Sequence, residues 1–109
     1  MLVTAGAPGV VAVEPAASGL ALAAAAPNPF VERATLGFAL PRAGDATLVL
    51  YDVDGRRVRS LFAGHAAAGP ASSLWDGKDD AGRSVPAGTY FVRLSFGGEE
   101  RVAKVVRLR

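Results

Sequence analysis

The segment from Leu74 to Phe96 constrains this chain more than any other. Side chains alternate along an extended strand, so Tyr90, Val92, Leu94 and Phe96 share one face, and Phe91, Arg93 and Ser95 the other. That pattern predicts a strand packed on a core by one face and largely solvated on the other. Before it lies Trp75-Asp-Gly-Lys-Asp-Asp-Ala-Gly82, a loop dense in Asp and Gly, then Pro86 and Gly88. Two strands joined by a structured loop are the natural reading, with Ala71–Trp75 as the first of the pair.

The rest of the chain from Pro27 onward has the same character. Ala34–Leu40 reads as a strand with Leu36, Phe38 and Leu40 on one face, and residues 41–45 as a turn. Ala46–Val53 follows, with Leu48 and Leu50 opposite Val49, Tyr51 and Val53. Asp54-Gly55 predicts a two-residue hairpin, and Arg57–Phe62 returns with Val58 and Phe62 inward. Gly64–Gly69 reads as a flexible loop. Gly97-Gly98 turns the chain into a closing strand over Arg101–Leu108, where Val102, Lys104, Val106 and Leu108 alternate against Ala103, Val105 and Arg107. Six or seven short strands without helical periodicity predict an all-β, antiparallel sandwich of immunoglobulin-like or fibronectin III-like type. Residues 1–26 are different. They are rich in Ala, Gly and Pro, and read as a linker or strand segment, with short strands near 10–14 and 19–25; the sandwich is expected over 27–109.

At 109 residues the chain is long enough for one domain with its own core. It has no cysteine, which removes disulfides and thiolate metal sites. Lys and Arg number 12 against 10 Asp and Glu. The pI of about 9.5 therefore reflects a small arginine excess, not the field of a nucleic-acid-binding surface. The most apolar run, Leu20–Ala26, falls far short of the roughly twenty residues of a membrane span, so no membrane insertion is expected. No signal-peptide pattern follows Met1. The expectation is either a cytosolic protein or a piece of a longer exported one.

No catalytic constellation stands out. His65 is the only histidine and lies among Gly64 and three alanines, and no serine sits in a nucleophile-elbow pattern. The chain is expected not to be an enzyme and to need no cofactor. Asp76, Asp79 and Asp80 are the candidates for a calcium site, because several carboxylates close in sequence offer the oxygen ligands calcium takes. Against that, Lys78 offsets their charge, no bidentate Glu follows, and Asp with Gly is ordinary turn chemistry. Asp52 and Asp54 invite the same pair of readings. Trp75, Tyr90 and Phe38 fit either a glycan-stacking platform or a core, and their strand positions favour the core. The β-branched residues Val10, Val11 and Val13, with Leu20 and Leu22, form a second kind of candidate: a strand for addition to a neighbour's sheet edge. That reading makes the chain a subunit of an extracellular filament.

Several motifs occur in a fixed order: Pro27-Asn-Pro-Phe30, Ala34-Thr-Leu-Gly-Phe-Ala-Leu-Pro41, Leu48-Val-Leu-Tyr-Asp-Val-Asp-Gly-Arg-Arg-Val58, Trp75-Asp-Gly77 and Pro86-Ala-Gly-Thr-Tyr-Phe-Val-Arg-Leu94. Over residues 27–109 the chain resembles the Ig-like domain of the flagellar hook-capping, FlgD-type family, and the related C-terminal sorting domains of type IX secretion. The resemblance implies a non-catalytic module of an exported bacterial protein, extracellular or at the cell surface, and favours the piece of a longer protein. It implies protein partners: secretion machinery, a surface layer or identical subunits, and no nucleic acid. In the sorting branch the closing residues Lys104, Val105, Val106, Arg107, Leu108 and Arg109 would be the segment read by the machinery.

Overall fold

The computed structural model describes residues 19–108. Seven strands follow one another: β1 (Ala21–Leu22), β2 (Ala34–Leu40), β3 (Gly44–Tyr51), β4 (Arg57–Ala66), β5 (Gly69–Trp75), β6 (Gly88–Phe96) and β7 (Glu99–Arg107). They form two antiparallel sheets, one ordered β1-β2-β5 and the other β4-β3-β6-β7. The expected all-β sandwich is the architecture found. No helix occurs among the described residues, so none there is long and apolar enough to cross a membrane.

The core is the sum of the alternating faces. In β6, Tyr90, Val92, Leu94 and Phe96 are all buried, as the period-two pattern requires. Leu36, Phe38 and Leu40 of β2 meet Ala46, Leu48 and Leu50 of β3 across the gap between sheets, with Val105 of β7 and Leu20 closing the ends. Trp75 is fully buried and is gripped by two rings: Phe30 at 5.2 Å between centroids, and Tyr90 edge-on at the same distance. Aromatic pairs in this geometry contribute about 0.5–1.5 kcal/mol each beyond the area they bury. Trp75, Tyr90 and Phe38 are thus core residues and present no glycan platform.

Three local expectations need correction. The segment Gly64–Gly69 is not a loop: β4 runs on to Ala66 and β5 starts at Gly69, with Ala63–Ala66 paired to Gly44–Thr47. Small residues give no apolar alternation, yet their main chain pairs as well as any other. The β3–β4 connection is a three-residue loop, not a two-residue one, because Asp52 and Arg56 are the residues joined across it. The strand expected near residues 19–25 is present as β1, and it is the start of the sandwich that moves ahead of residue 27: Leu20 is in the core, Ala21 and Leu22 pair with Ala39 and Phe38, and Ala26 bonds to Thr35 in both directions. The expected strand near residues 10–14 lies outside the described residues.

Candidate functional site

Two turns with one construction stand at the same end of the sandwich. The first is Asp52-Val-Asp-Gly-Arg56 between β3 and β4, and the second is Asp79-Asp-Ala-Gly-Arg83 between β5 and β6. In each, the N–H of the leading Asp donates to the carbonyl of the Arg four residues on, and the Gly N–H donates back to the Asp carbonyl. The glycines have φ of +83° and +82°, a region that costs an L-residue about 1–2 kcal/mol. Each Asp carboxylate accepts the N–H groups two and four residues ahead, at 2.9–3.0 Å. Each also faces its own Arg side chain. Hydrogen bonding to the ionised form stabilises it. Both carboxyls are accordingly held below the usual carboxylate range, first by the main-chain N–H of Arg56 for Asp52 and of Arg83 for Asp79.

Between the two turns lies an open cleft of about 460 Å³, walled by Asp52, Arg56, Arg57 and Asp79 over a floor that includes Val85 and Tyr90. β3 leaves the sheet after Tyr51, opposite Phe91, so the first residues of β6 have β7 on one side only and open onto the cleft on the other. The Tyr90 hydroxyl donates to the Pro86 carbonyl four residues upstream, and burial raises its pKa. A tyrosine fastened in this way near the start of a strand recurs in Ig-like sandwiches. These groups are committed to holding main chain, and the cleft offers shape and charge for contact, with no nucleophile beside a base.

The outer edges of the four-stranded sheet are each covered from within the chain. On β7, the Asn28 side chain accepts the Val106 N–H at 2.9 Å and donates to the Lys104 carbonyl at 3.1 Å. Phe30 continues the contact, donating to Val106 and accepting from Leu108. Asn28 thus acts as one peptide unit of an eighth strand, and Phe30 anchors it in the core. On β4, Asp80 donates its N–H to the Val58 carbonyl and accepts the Ser60 N–H on its carboxylate. Arg57 reaches Asp80 at 3.2 Å, and Arg59 reaches Asp76 at 2.7 Å. Arg107 links the two ends. Its guanidinium donates to the carbonyls of Gly77 and Val85, and lies where a Cβ on Gly77 would be.

The candidates read from the sequence now have places. Asp76, Asp79 and Asp80 do not converge: each is turned to its own arginine and main-chain N–H groups. No group of three His, Asp or Glu able to hold a metal occurs among the described residues. Asp54 and Val53 are exposed at the turn tip, and His65 faces Asp45 on the surface at 3.6 Å. Of the closing segment, Val105 is fully buried, Val106 and Arg107 serve the contacts above, and only the side chains of Lys104 and Leu108 are exposed; Arg109 lies outside the described residues. Leu20 and Leu22 sit in their own chain's core and sheet, which removes them as a donated strand; Val10, Val11 and Val13 lie outside the described residues. The second Asp-x-x-Gly-Arg turn escaped the sequence reading although its signal was there, as a repeat of the first. The role of Asn28 carried no such signal.

Residues 30–98 match the family described as the FlgD Ig-like domain. Over 64 residues the chain is 41% identical to the basal-body rod modification protein FlgD of Salmonella typhimurium and, equally, to that of Salmonella typhi. The match covers 57% of this chain and 28% of each relative, so the chain spans less than a third of their length. The crystal structure of FlgD from P. aeruginosa aligns with a TM-score of 0.53 at 29% identity, over 69% of this chain and 58% of that one.

Proposed function

The chain belongs to the FlgD Ig-like domain family, and on that footing we propose that it is a non-catalytic assembly module of an exported, flagellar-type scaffold protein. The observation that carries this reading is the match across residues 30–98, which contains both Asp-x-x-Gly-Arg turns, the Trp75-Asp-Gly77 loop and the cleft between them. Its work is contact with other protein subunits outside the cytoplasm. The turns supply a rigid rim for such contact, because loops set on a firm sheet scaffold are where binding is usually placed.

In vivo complementation tests the reading. A cell whose copy of the gene lacks the codons for residues 27–109 is expected to lose the external structure, counted by electron microscopy, and to regain it with the full gene. Unimpaired assembly by the deleted version overturns the proposal. A sorting role for the closing segment is tested separately with Lys104→Glu and Leu108→Ser. Truncation would instead strip Val105 and Arg107 from the fold, and so confuse export with unfolding.

A further inference from the structure

We propose that the cleft between the two Asp-x-x-Gly-Arg turns receives an extended, acidic segment of a partner protein, paired to the open edge of β6 at Thr89. The cleft so read presupposes the assembly role above and adds what the partner must present. The register of the sheet decides which way each main-chain group points. Asn28 and Phe30 bond the outward groups of Lys104, Val106 and Leu108, so Val105 and Arg107 face β6 and pair with Tyr90 and Gly88. Thr89, between those two, therefore turns its N–H and carbonyl away from β7. On that side the neighbour is β3, but its last pairing is Tyr51 with Phe91, and the Asp52 N–H is already directed to Arg56. Among the described residues nothing bonds the Thr89 main chain from the cleft side. An extended segment laid along the line that β3 abandons meets a donor and an acceptor there, which is how a strand is added to a sheet edge.

The charges of the cleft select the chemistry of that segment. In each turn the carboxylate is folded inward onto two N–H groups and the guanidinium is left outside. Asp52 is 20% exposed against 78% for Arg56, and Asp79 30% against 81% for Arg83. A guanidinium carries five N–H donors. Arg56 directs its Nε–H to Asp52, and Arg83 stands 3.9 Å from Asp79, beyond hydrogen-bond length. Arg57 on the same wall is paired with Asp80, and Asp54 is the exposed carboxylate of the first turn. The polar groups within a newcomer's reach are thus mostly arginine donors, which carboxylates take in charge-assisted bonds. Val85 and Pro86 make part of the lining apolar. That suits the side chains that alternate with carboxylates along an extended segment.

NMR titration of the full chain with a capped heptapeptide of alternating Glu and Val tests this, with the Lys and Val counterpart and a short oligothymidine as controls. The expected result is saturable binding of the acidic peptide, with amide shifts centred on Thr89 and slower amide exchange there in the complex. The double variant Arg56→Gln, Arg83→Gln should bind it about fivefold more weakly, with Trp75 fluorescence checking that the variant is folded. No binding at millimolar peptide, equal binding of the acidic and basic peptides, an unaffected double variant, or an unmoved Thr89 overturns the proposal. Oligothymidine bound as tightly as the acidic peptide overturns it in favour of a general anion surface. If the peptide fails while deletion of residues 27–109 still abolishes the external structure, this proposal falls and the assembly role stands, with its contact made elsewhere.

Discussion

The two outer strands of the four-stranded sheet face one problem, a row of unpaired main-chain groups, and are covered by opposite chemistry. On β7 the cover is neutral: one Asn28 amide both donates and accepts, as a peptide does. On β4 it is ionic: the Asp80 carboxylate only accepts, so its own N–H supplies the donor and Arg57 balances its charge. The neutral cover hangs from Phe30 in the core, whereas the ionic one is part of an exposed loop. An amide cover is therefore insensitive to salt, whereas an exposed ion-paired cover is weakened by it.

The largest effect is expected where the neutral cover meets the core. Phe30→Ala removes a side chain that is 1% exposed and packed, tilted, against the Trp75 ring. It should cost about 3–5 kcal/mol in urea unfolding. Because Phe30 also bonds Val106 and Leu108, exchange at Leu108 should rise in the same variant. A cost below about 1 kcal/mol would mean that the cover is ornamental to the fold.

Gly77→Ala attacks the link between the edges. Gly77 has φ +76°, and a Cβ there would stand 2.5 Å from Arg107 Nε, whereas around Gly55, at φ +83°, there is open space. Both substitutions incur the left-handed cost of about 1 kcal/mol, and only Gly77→Ala should also displace the Arg107 guanidinium, for roughly 2 kcal/mol or more in all. Equal losses in the two variants would show that Arg107 does not hold the loop.

Asn28→Ala and Asp80→Ala compare the covers directly. Each removes about two hydrogen bonds and should cost about 1–2 kcal/mol at low salt. Raising the salt from about 0.05 M to 1 M should shrink the Asp80→Ala cost, because a Debye length near 3 Å screens the Arg57 pair, and should leave Asn28→Ala unchanged. Parallel salt responses would abolish the distinction.

These residues also mark what could be read from the sequence. Burial writes itself into the chain as alternation, so Tyr90–Phe96 and Leu36–Leu40 were legible from period two alone. The Ala63–Ala66 end of β4 was not, because its small side chains bury little and leave no period. Asn28 was beyond reach for another reason. Its bonding to Lys104 and Val106 spans the length of the sandwich in sequence and depends on a register that only the fold sets. Arg107 is the same case, an arginine in a solvated-looking alternation that in fact grips two carbonyls. The Asp-rich loop, by contrast, was legible as turn chemistry, and its three carboxylates turned out to be divided among separate tasks.

The finest distinction lies within the acidic end itself. Asp52 and Asp79 are held below the ordinary Asp carboxyl value of 3.8 in the folded chain, chiefly by main-chain N–H groups. A folded pKa below the unfolded one means that the unfolded chain binds more protons, so stability rises with pH there. Their contribution is complete above pH 3.8 and is lost as pH falls through the lowered folded values. Asn in either place keeps an oxygen for the two N–H groups but cannot titrate. Asp52→Asn and Asp79→Asn should therefore flatten the decline of the melting temperature between about pH 4 and pH 2. Asn28→Ala should leave its slope unaltered, since a neutral amide has no proton to exchange. An unchanged slope in the doubly substituted chain would show that these two turns do not carry the acid sensitivity of the fold.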